Sequence, residues 1–297
     1  VLFRSIVLAA KDTTADTVTL AGGIAGDSTT GDAGTASAIG ITVGNNATIT
    51  VTETLAATSG STTLTIADHI SSIDFNTITG DNVTVDASTL NGDVTIDAVA
   101  GNATITTGAG DDTILAGTGT DTISVGAGDD TVNGQAGGDL ITVGLGNDVI
   151  TLDTTESTTS AYEQITGFSL ASASWTGSSA NNGADEVQST GVAGADADIL
   201  DIGSANTLDV AGLSGTLGTT ATSNVEVSAL GKVTFATADD TLAERLTALA
   251  ADTTDITAGE TVFFEQGSDT FIFHNDATDM LVKLVGVTGA TGMDLTA

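Results

Sequence analysis

Five aspartates recur at intervals of nine residues: Asp112, Asp121, Asp130, Asp139 and Asp148. Each stands two residues after a glycine (Gly110, Gly119, Gly128, Gly137, Gly146) and two before a β-branched apolar residue (Ile114, Ile123, Val132, Ile141, Ile150). Cut into nines from Thr107, the stretch to Thr151 reads TGAGDDTIL, AGTGTDTIS, VGAGDDTVN, GQAGGDLIT and VGLGNDVIT, without slippage. A carboxylate beside carbonyls freed by tight glycine turns is a set of hard oxygen donors, and Ca²⁺ is the cation that suits such a set. The alternative is a Gly/Asp-rich β-solenoid without metal.

The elements that must position these groups follow from the other positions. The last three residues of each nine, such as Thr113-Ile114-Leu115, form a short strand with one side chain turned inward. One buried residue per strand cannot close a core, so the units must stack on one another. The first six residues form a turn, and glycines at positions two and four allow positive φ and close backbone approach. Gln135 breaks this pattern at position two of the fourth unit, where a distorted turn is expected.

The nonapeptide resembles the RTX calcium-binding β-roll. The resemblance implies two units per coil, with unit n over unit n+2 and an ion between their turns. It pairs Asp112 with Asp130, Asp121 with Asp139 and Asp130 with Asp148, which implies about three full calcium sites with partial ones at the ends.

Charge points the same way. The chain of 297 residues carries 39 acidic side chains against 5 basic, a net charge of −34. Between Lys11 and Lys232 there is no Lys or Arg. Such a chain has no electrostatic footprint for nucleic acid or anionic lipid. Its like charges oppose compaction unless cations neutralise them, so metal binding and folding should be coupled. Cysteine and proline are absent, which removes disulfides, thiolate catalysis and Cys-based zinc sites together. Hydrophobic content is 40% but aromatics only 3%, which suits thin repetitive β-structure. No stretch reaches the roughly 20 apolar residues of a membrane helix. The start, Val1 to Leu8, lacks an initiator Met and reads as the cut end of a longer protein.

Ahead of the repeats, Ile39–Val43 and Ala47–Thr52 alternate as strands do, on either side of a turn around Gly44-Asn45-Asn46. Residues 63–106 read as a metal-free version of the same solenoid. The triplets Leu64-Thr65-Ile66, Val83-Thr84-Val85, Val94-Thr95-Ile96 and Ala103-Thr104-Ile105 recur there, with Thr expected to stack on the outer face. His69 sits in a turn-like Ala-Asp-His with a surface or capping role.

After Thr151 the period is lost. Tyr162 to Phe168 carries aromatic bulk, of the kind that commonly closes the roll in RTX proteins, and a cap is needed to cover an apolar end and open strand edges. Trp175 is expected in a Ser/Gly/Asn loop. Asp196 and Asp198, with Asp201 nearby, resemble half a calcium loop and are candidate additional calcium ligands; an acidic strand edge is the alternative. Residues 237–252 form the one clear helix, with Leu242, Leu246 and Leu249 on one face and a capping box from Thr241 to Glu244. That helix, the Gly267-Ser268-Asp269-Thr270-Phe271 hairpin and the Leu281–Val287 strand resemble the C-terminal domain of bacterial RTX-type surface proteins exported by type I secretion, S-layer proteins among them. The resemblance implies an uncleaved C-terminal export signal.

The expected fold is all-β: a parallel β-solenoid or β-roll with calcium-binding turns, followed by a β-rich C-terminal cap with one short helix. Three segments are expected, a metal-poor solenoid over 1–106, the calcium-binding roll over 107–151, and a cap, assembly and secretion domain over 152–297. No catalytic motif is present, neither H-E-x-x-H nor G-x-S-x-G nor a phosphate loop, and His69 and His274 are far apart. No enzyme is expected within these residues. The expected function is structural: the C-terminal part of a secreted, calcium-dependent S-layer protein whose partner is itself in a lattice or oligomer, with cell-surface polysaccharide as a further candidate. A secreted adhesin or biofilm protein, or the export tail of a secreted hydrolase, are the other readings.

Overall fold

A computed structural model describes residues 5–8, 17–20, 37–43, 47–51, 55–56, 61–66, 70–75, 78–97, 99–152, 156–169, 174–176, 186–189, 198–201, 225–228, 232–235, 241–252, 256, 258–275, 277–289 and 292–294. His69, the turn at 44–46 and Asp196 lie outside them. The chain is mostly β, with a parallel β-solenoid, one short helix and a β-rich C-terminal region. It divides into two compact units, Val1–Val149 and Ile150–Ala297.

In the first unit, successive strands alternate between two parallel sheets, apart from the two-residue Leu55–Ala56, which pairs with Ile78 and Thr79 in the same sheet as the strand that follows it. One sheet runs in the order Ser5–Leu8, Ser37–Val43, Ser61–Ile66, Ile78–Asp86, Val99–Thr106, Thr122–Ser124, Leu140–Thr142. The other runs Thr17–Leu20, Ala47–Val51, Ile70–Phe75, Asp93–Ile96, Thr113–Leu115, Thr131–Asn133. The offset between paired residues shrinks along the chain, from 35 at Ile6↔Ile41 to 25 at Ile39↔Leu64 and 20 at Val85↔Ile105. It then settles at 18 in Ile105↔Ile123 and Ile123↔Ile141. Eighteen is two nonapeptides, so unit n lies over unit n+2, as the resemblance implied.

Alternation along each short strand fixes what is buried. Ile114, Ile123, Val132, Ile141 and Ile150 are all inside, while the preceding Thr113, Thr122 and Thr131 face outward. Thr95, Thr113 and Thr131 stack in register on one sheet, and Thr84, Thr104 and Thr122 on the other, which is the outer threonine ladder expected for this solenoid. Position one is also inward, which the nine-residue pattern did not announce: Thr107, Ala116, Val125, Val143 and Leu152 are buried. A strand period of two places positions six, eight and one on the same side, so a unit such as Asp121, Ile123 and Val125 turns one carboxylate and then two apolar side chains inward.

The turns continue this ladder. Ala127, Ala136 and Leu145 donate their N–H to the carbonyls of Gly108, Gly117 and Gly126 at 2.9, 3.0 and 3.1 Å. Coils therefore approach so closely that a Cβ at Gly144 would lie 1.5 Å from the Gly126 carbonyl oxygen, and one at Gly117 1.8 Å from that of Val99. Positive φ occurs at position four in Gly119, Gly128 and Gly146. Gln135 takes φ +62° at position two, a left-handed backbone that Gly117 also adopts (φ +98°) one coil below, and its N–H bonds the Asn133 Oδ1 at 2.6 Å.

In the second unit, Glu163–Thr166 pairs parallel with Met280–Val285, which pairs antiparallel with Asp269–His274, itself paired with Thr261–Gln266. The helix spans Leu242–Ala251, starting later than 237 because Thr241 caps it. The Thr241 hydroxyl accepts the Glu244 N–H at 3.3 Å, and the Glu244 carboxylate accepts the Thr241 N–H at 3.0 Å. Leu249 is buried with Val225, Val262, Phe264 and Phe273, and Leu242 and Leu246 pack against this cluster. Trp175 lies in the strand Ser174–Thr176 rather than a loop, because it pairs with Glu186–Ser189 on one side and Gly292–Asp294 on the other. Its partners are remote in sequence, which local composition cannot reveal. No described helix is long and apolar enough to cross a membrane.

Position two therefore responds oppositely in adjacent turns. Gly144→Ala should destabilise the roll by at least about 2 kcal/mol through overpacking. Gln135→Gly should stabilise it by about 1 kcal/mol by relieving the left-handed backbone. Thermal melts in saturating calcium check both signs.

Candidate metal centre

The five position-six carboxyls are all inside: Asp112 and Asp130 are 1% exposed, Asp121, Asp139 and Asp148 0%. Each reaches across one coil. Asp130 Oδ1 accepts the Asp112 N–H at 2.8 Å, Asp139 Oδ1 that of Asp121 at 2.8 Å, and Asp148 Oδ1 that of Asp130 at 3.0 Å. The pairs 112–130, 121–139 and 130–148 are thus brought together. At the leading end the same bond runs to apolar residues, from Val94 N–H to Asp112 at 2.8 Å and from Ala103 N–H to Asp121 at 2.7 Å. Val94 and Ala103 stand where position six would be, so Asp112 and Asp121 face a coil with no matching carboxylate.

One oxygen of each carboxyl is accounted for by this bond. The second is not: Oδ2 of Asp121 and of Asp130 is buried with no hydrogen-bond partner, and Oδ2 of Asp112 likewise, with the Thr107 hydroxyl close by. A buried carboxylate with an idle oxygen is unfavourable unless it is protonated or meets a cation. Burial accordingly pushes Asp121 up to about 6, against the pull of the Ala103 N–H. Asp130 is pushed up to about 7, by burial first; the Asp112 N–H opposes this, and the neighbouring carboxylates of Asp112, Asp148 and Asp111 add to it. Asp112 is raised for the same leading reason, against the Thr107 hydroxyl and the Val94 N–H.

These residues fit a calcium ion. Among the described residues no three carboxylates or imidazoles converge, so an ion here would be met by stacked carboxylates together with backbone oxygens, a set that Ca²⁺ accepts and thiophilic metals do not. Sequence reasoning offered the glycine carbonyls as free ligands. Those of Gly108, Gly117 and Gly126 instead accept an N–H from the next coil. A carbonyl oxygen has two lone pairs, so each retains one for a cation. Glycine at position four keeps the cavity open: a Cβ at Gly137 would meet both the Gly119 oxygen at 1.8 Å and Asp139 Oδ1 at 2.8 Å.

Position five was missed. Asp93, Asp111 and Asp129 are exposed, and each accepts the N–H of the position-five residue one coil on: Asp111 at 3.0 Å, Asp129 at 2.9 Å and Asn147 at 2.9 Å. On the other row of turns only Asn102 does this, to Thr120 at 2.9 Å. Scanning at a period of eighteen instead of nine exposes the column.

Asp198 is buried, and its Oδ2 accepts the Ser169 N–H at 2.6 Å. Asp201 ends the short strand Ile199–Asp201 that begins directly after Asp198. His274 is buried with Nδ1 2.7 Å from the Thr261 hydroxyl, and Asp269 is held below the usual carboxylate range by the Gly286 N–H and by Lys283 at 2.9 Å.

The raised carboxyls set the pH response of the metal-free roll. Their folded values exceed the unfolded 3.8, so the folded state binds more protons, and its stability falls as pH rises from about 4 through about 7. In EGTA the roll should melt at a higher temperature at pH 5 than at pH 8, and the rise in melting temperature on adding calcium should be larger at pH 8. Equal melting at both pH values in EGTA would contradict the assignment.

Residues 97–132 and 115–150 match the family model of the RTX calcium-binding nonapeptide repeat. The match begins ahead of Thr107, consistent with Gly101, Asn102 and Ile105 holding positions four, five and eight of a unit whose sixth residue is Ala103. No curated protein matches the chain. RTX repeats bind calcium in general, and proteins that carry them are typically secreted. The segment 97–150 is therefore a block of RTX nonapeptide repeats folded as a parallel β-roll.

Proposed function

We propose that this chain is part of a secreted, structural cell-surface protein whose folding and self-assembly are switched by calcium, an S-layer protein being the form that best fits its composition. The observation that carries the calcium switch is the column of buried position-six carboxylates with an idle Oδ2 at Asp112, Asp121 and Asp130. Without a cation these charges oppose the stacking that buries them. With one, the same carboxylates hold adjacent coils together. Binding energy then becomes folding energy.

About three ions are held by the pairs 112–130, 121–139 and 130–148 in this reading, with backbone oxygens of the glycine turns completing each set. Affinities of roughly 10⁻⁴ to 10⁻³ M, those of extracellular modules, would leave the chain unfolded during export and fold it outside the cell. The structural role is supported by the Thr, Ala and Gly bias, the lack of cysteine and the solenoid that extends the sheets ahead of the metal-binding units. Threonine ladders and exposed Leu140 and Leu145 on the roll offer lateral surface for contact with further copies.

Electron microscopy of the purified chain with and without calcium tests the assembly claim. Ordered sheets should form only with calcium, and Asp130→Ala should raise the calcium needed more than Asp112→Ala, since Asp130 belongs to two stacked pairs. Monomeric particles at every calcium concentration would exclude the lattice and favour an adhesin or an export tail.

A further inference from the structure

The two rows of turns in the roll are built differently. One row carries the inner carboxyls Asp112, Asp130 and Asp148, and directly beside them in the chain the outer column Asp93, Asp111, Asp129 and Asn147. The other carries Asp121 and Asp139, with Asn102, Thr120 and Gly138 in the outer positions. In the first row each coil step is clasped twice, in opposite senses. The outer carboxyl of the lower coil accepts an N–H from the upper one, and the inner carboxyl of the upper coil accepts an N–H from the lower. In the second row the outer clasp is a neutral amide at Asn102, and Thr120 has no carboxyl or amide with which to repeat it.

The outer carboxylates are exposed but held in place by these bonds, so their charges stay beside the inner ones. The inner side chains of Asp112 and Asp130 are 1% exposed, and each has an Oδ2 without a hydrogen bond. A divalent ion received by that oxygen is stabilised by every fixed negative charge nearby. One unit charge several ångströms from a divalent ion changes affinity by on the order of tenfold even under water-like screening.

We propose that the two edges of the roll load unequally: the Asp112–Asp130–Asp148 edge binds calcium more tightly than the Asp121–Asp139 edge, because the outer carboxylates Asp93, Asp111 and Asp129 accompany only the former. This rests on the calcium reading above and adds an order to it. The tighter edge fills first and fixes the coil spacing. The weaker edge then completes the fold at higher calcium, which divides uptake into two steps.

Calorimetric titration of the full chain with calcium tests this. The wild-type chain should show two affinity classes, the tighter weakening more as ionic strength rises. In the Asp111→Asn/Asp129→Asn double variant the amide oxygens can still accept the next coil's N–H, so the clasp persists while two charges are lost. The tighter class should weaken by about tenfold or more while the weaker stays in place. Thr120→Asp should tighten the weaker class. A single class in the wild-type chain, or a double variant whose tight class is unmoved, would overturn the proposal. Absence of any calcium binding would overturn it together with the reading on which it rests.

Discussion

The contact on which the rest depends is the stacking of one glycine turn on the turn two units below. It brings backbone to within a distance that excludes any Cβ at Gly117 or Gly144. It also closes the bond from one aspartate's N–H to the next aspartate's Oδ1. That approach is favourable for backbone pairing and unfavourable for charge, since it sequesters one carboxylate per turn. The conflict is local and repeats with the coil. A cation between turns resolves it; protonation resolves it only as pH falls through about 7 at Asp130 and about 6 at Asp121. In the proposed reading, calcium dependence is a consequence of the stacking distance, not an addition to it.

The solenoid ahead of the repeats shows the same scaffold without the conflict. Val94 and Ala103 occupy the position-six sites, their N–H groups already bonded to Asp112 and Asp121, and their side chains are buried as apolar residues should be. Paired residues there lie 20 or more apart and tighten to 18 as the carboxylates begin. A looser coil can be held by side-chain packing alone. The tight coil, in the proposed reading, needs a cation. Charge supports the division, since all the described cations of the second unit are engaged locally: Lys232 with Glu265, Lys283 with Asp269, and Arg245 over Phe235 and Phe264.

Much of this was legible in the residues. The strand positions, the n over n+2 stacking, the capping box at Thr241 and the pairing of the five aspartates all follow from short-range pattern or from the repeat it resembles. What escaped shares one cause: it depends on a partner outside the window of nine. The inward role of position one, the Asp93–Asp111–Asp129 column and the engagement of the glycine carbonyls appear only when one coil is laid on the next. Trp175 was misplaced in a loop because its strand exists through pairing with residues far along the chain. The bond of Asp198 to Ser169, 29 residues away, likewise could not be read from its neighbours.

The most direct test of the account is residue-level amide hydrogen exchange near pH 7.5 in excess calcium and in EGTA. The amides of Asp112, Asp121 and Asp130 should be protected in calcium and exchange freely in EGTA. The amides of the hairpin over 261–274 should stay protected in both. Equal protection of the three aspartate amides with and without calcium would show that the stacked turns hold without the ion, and would contradict the central claim.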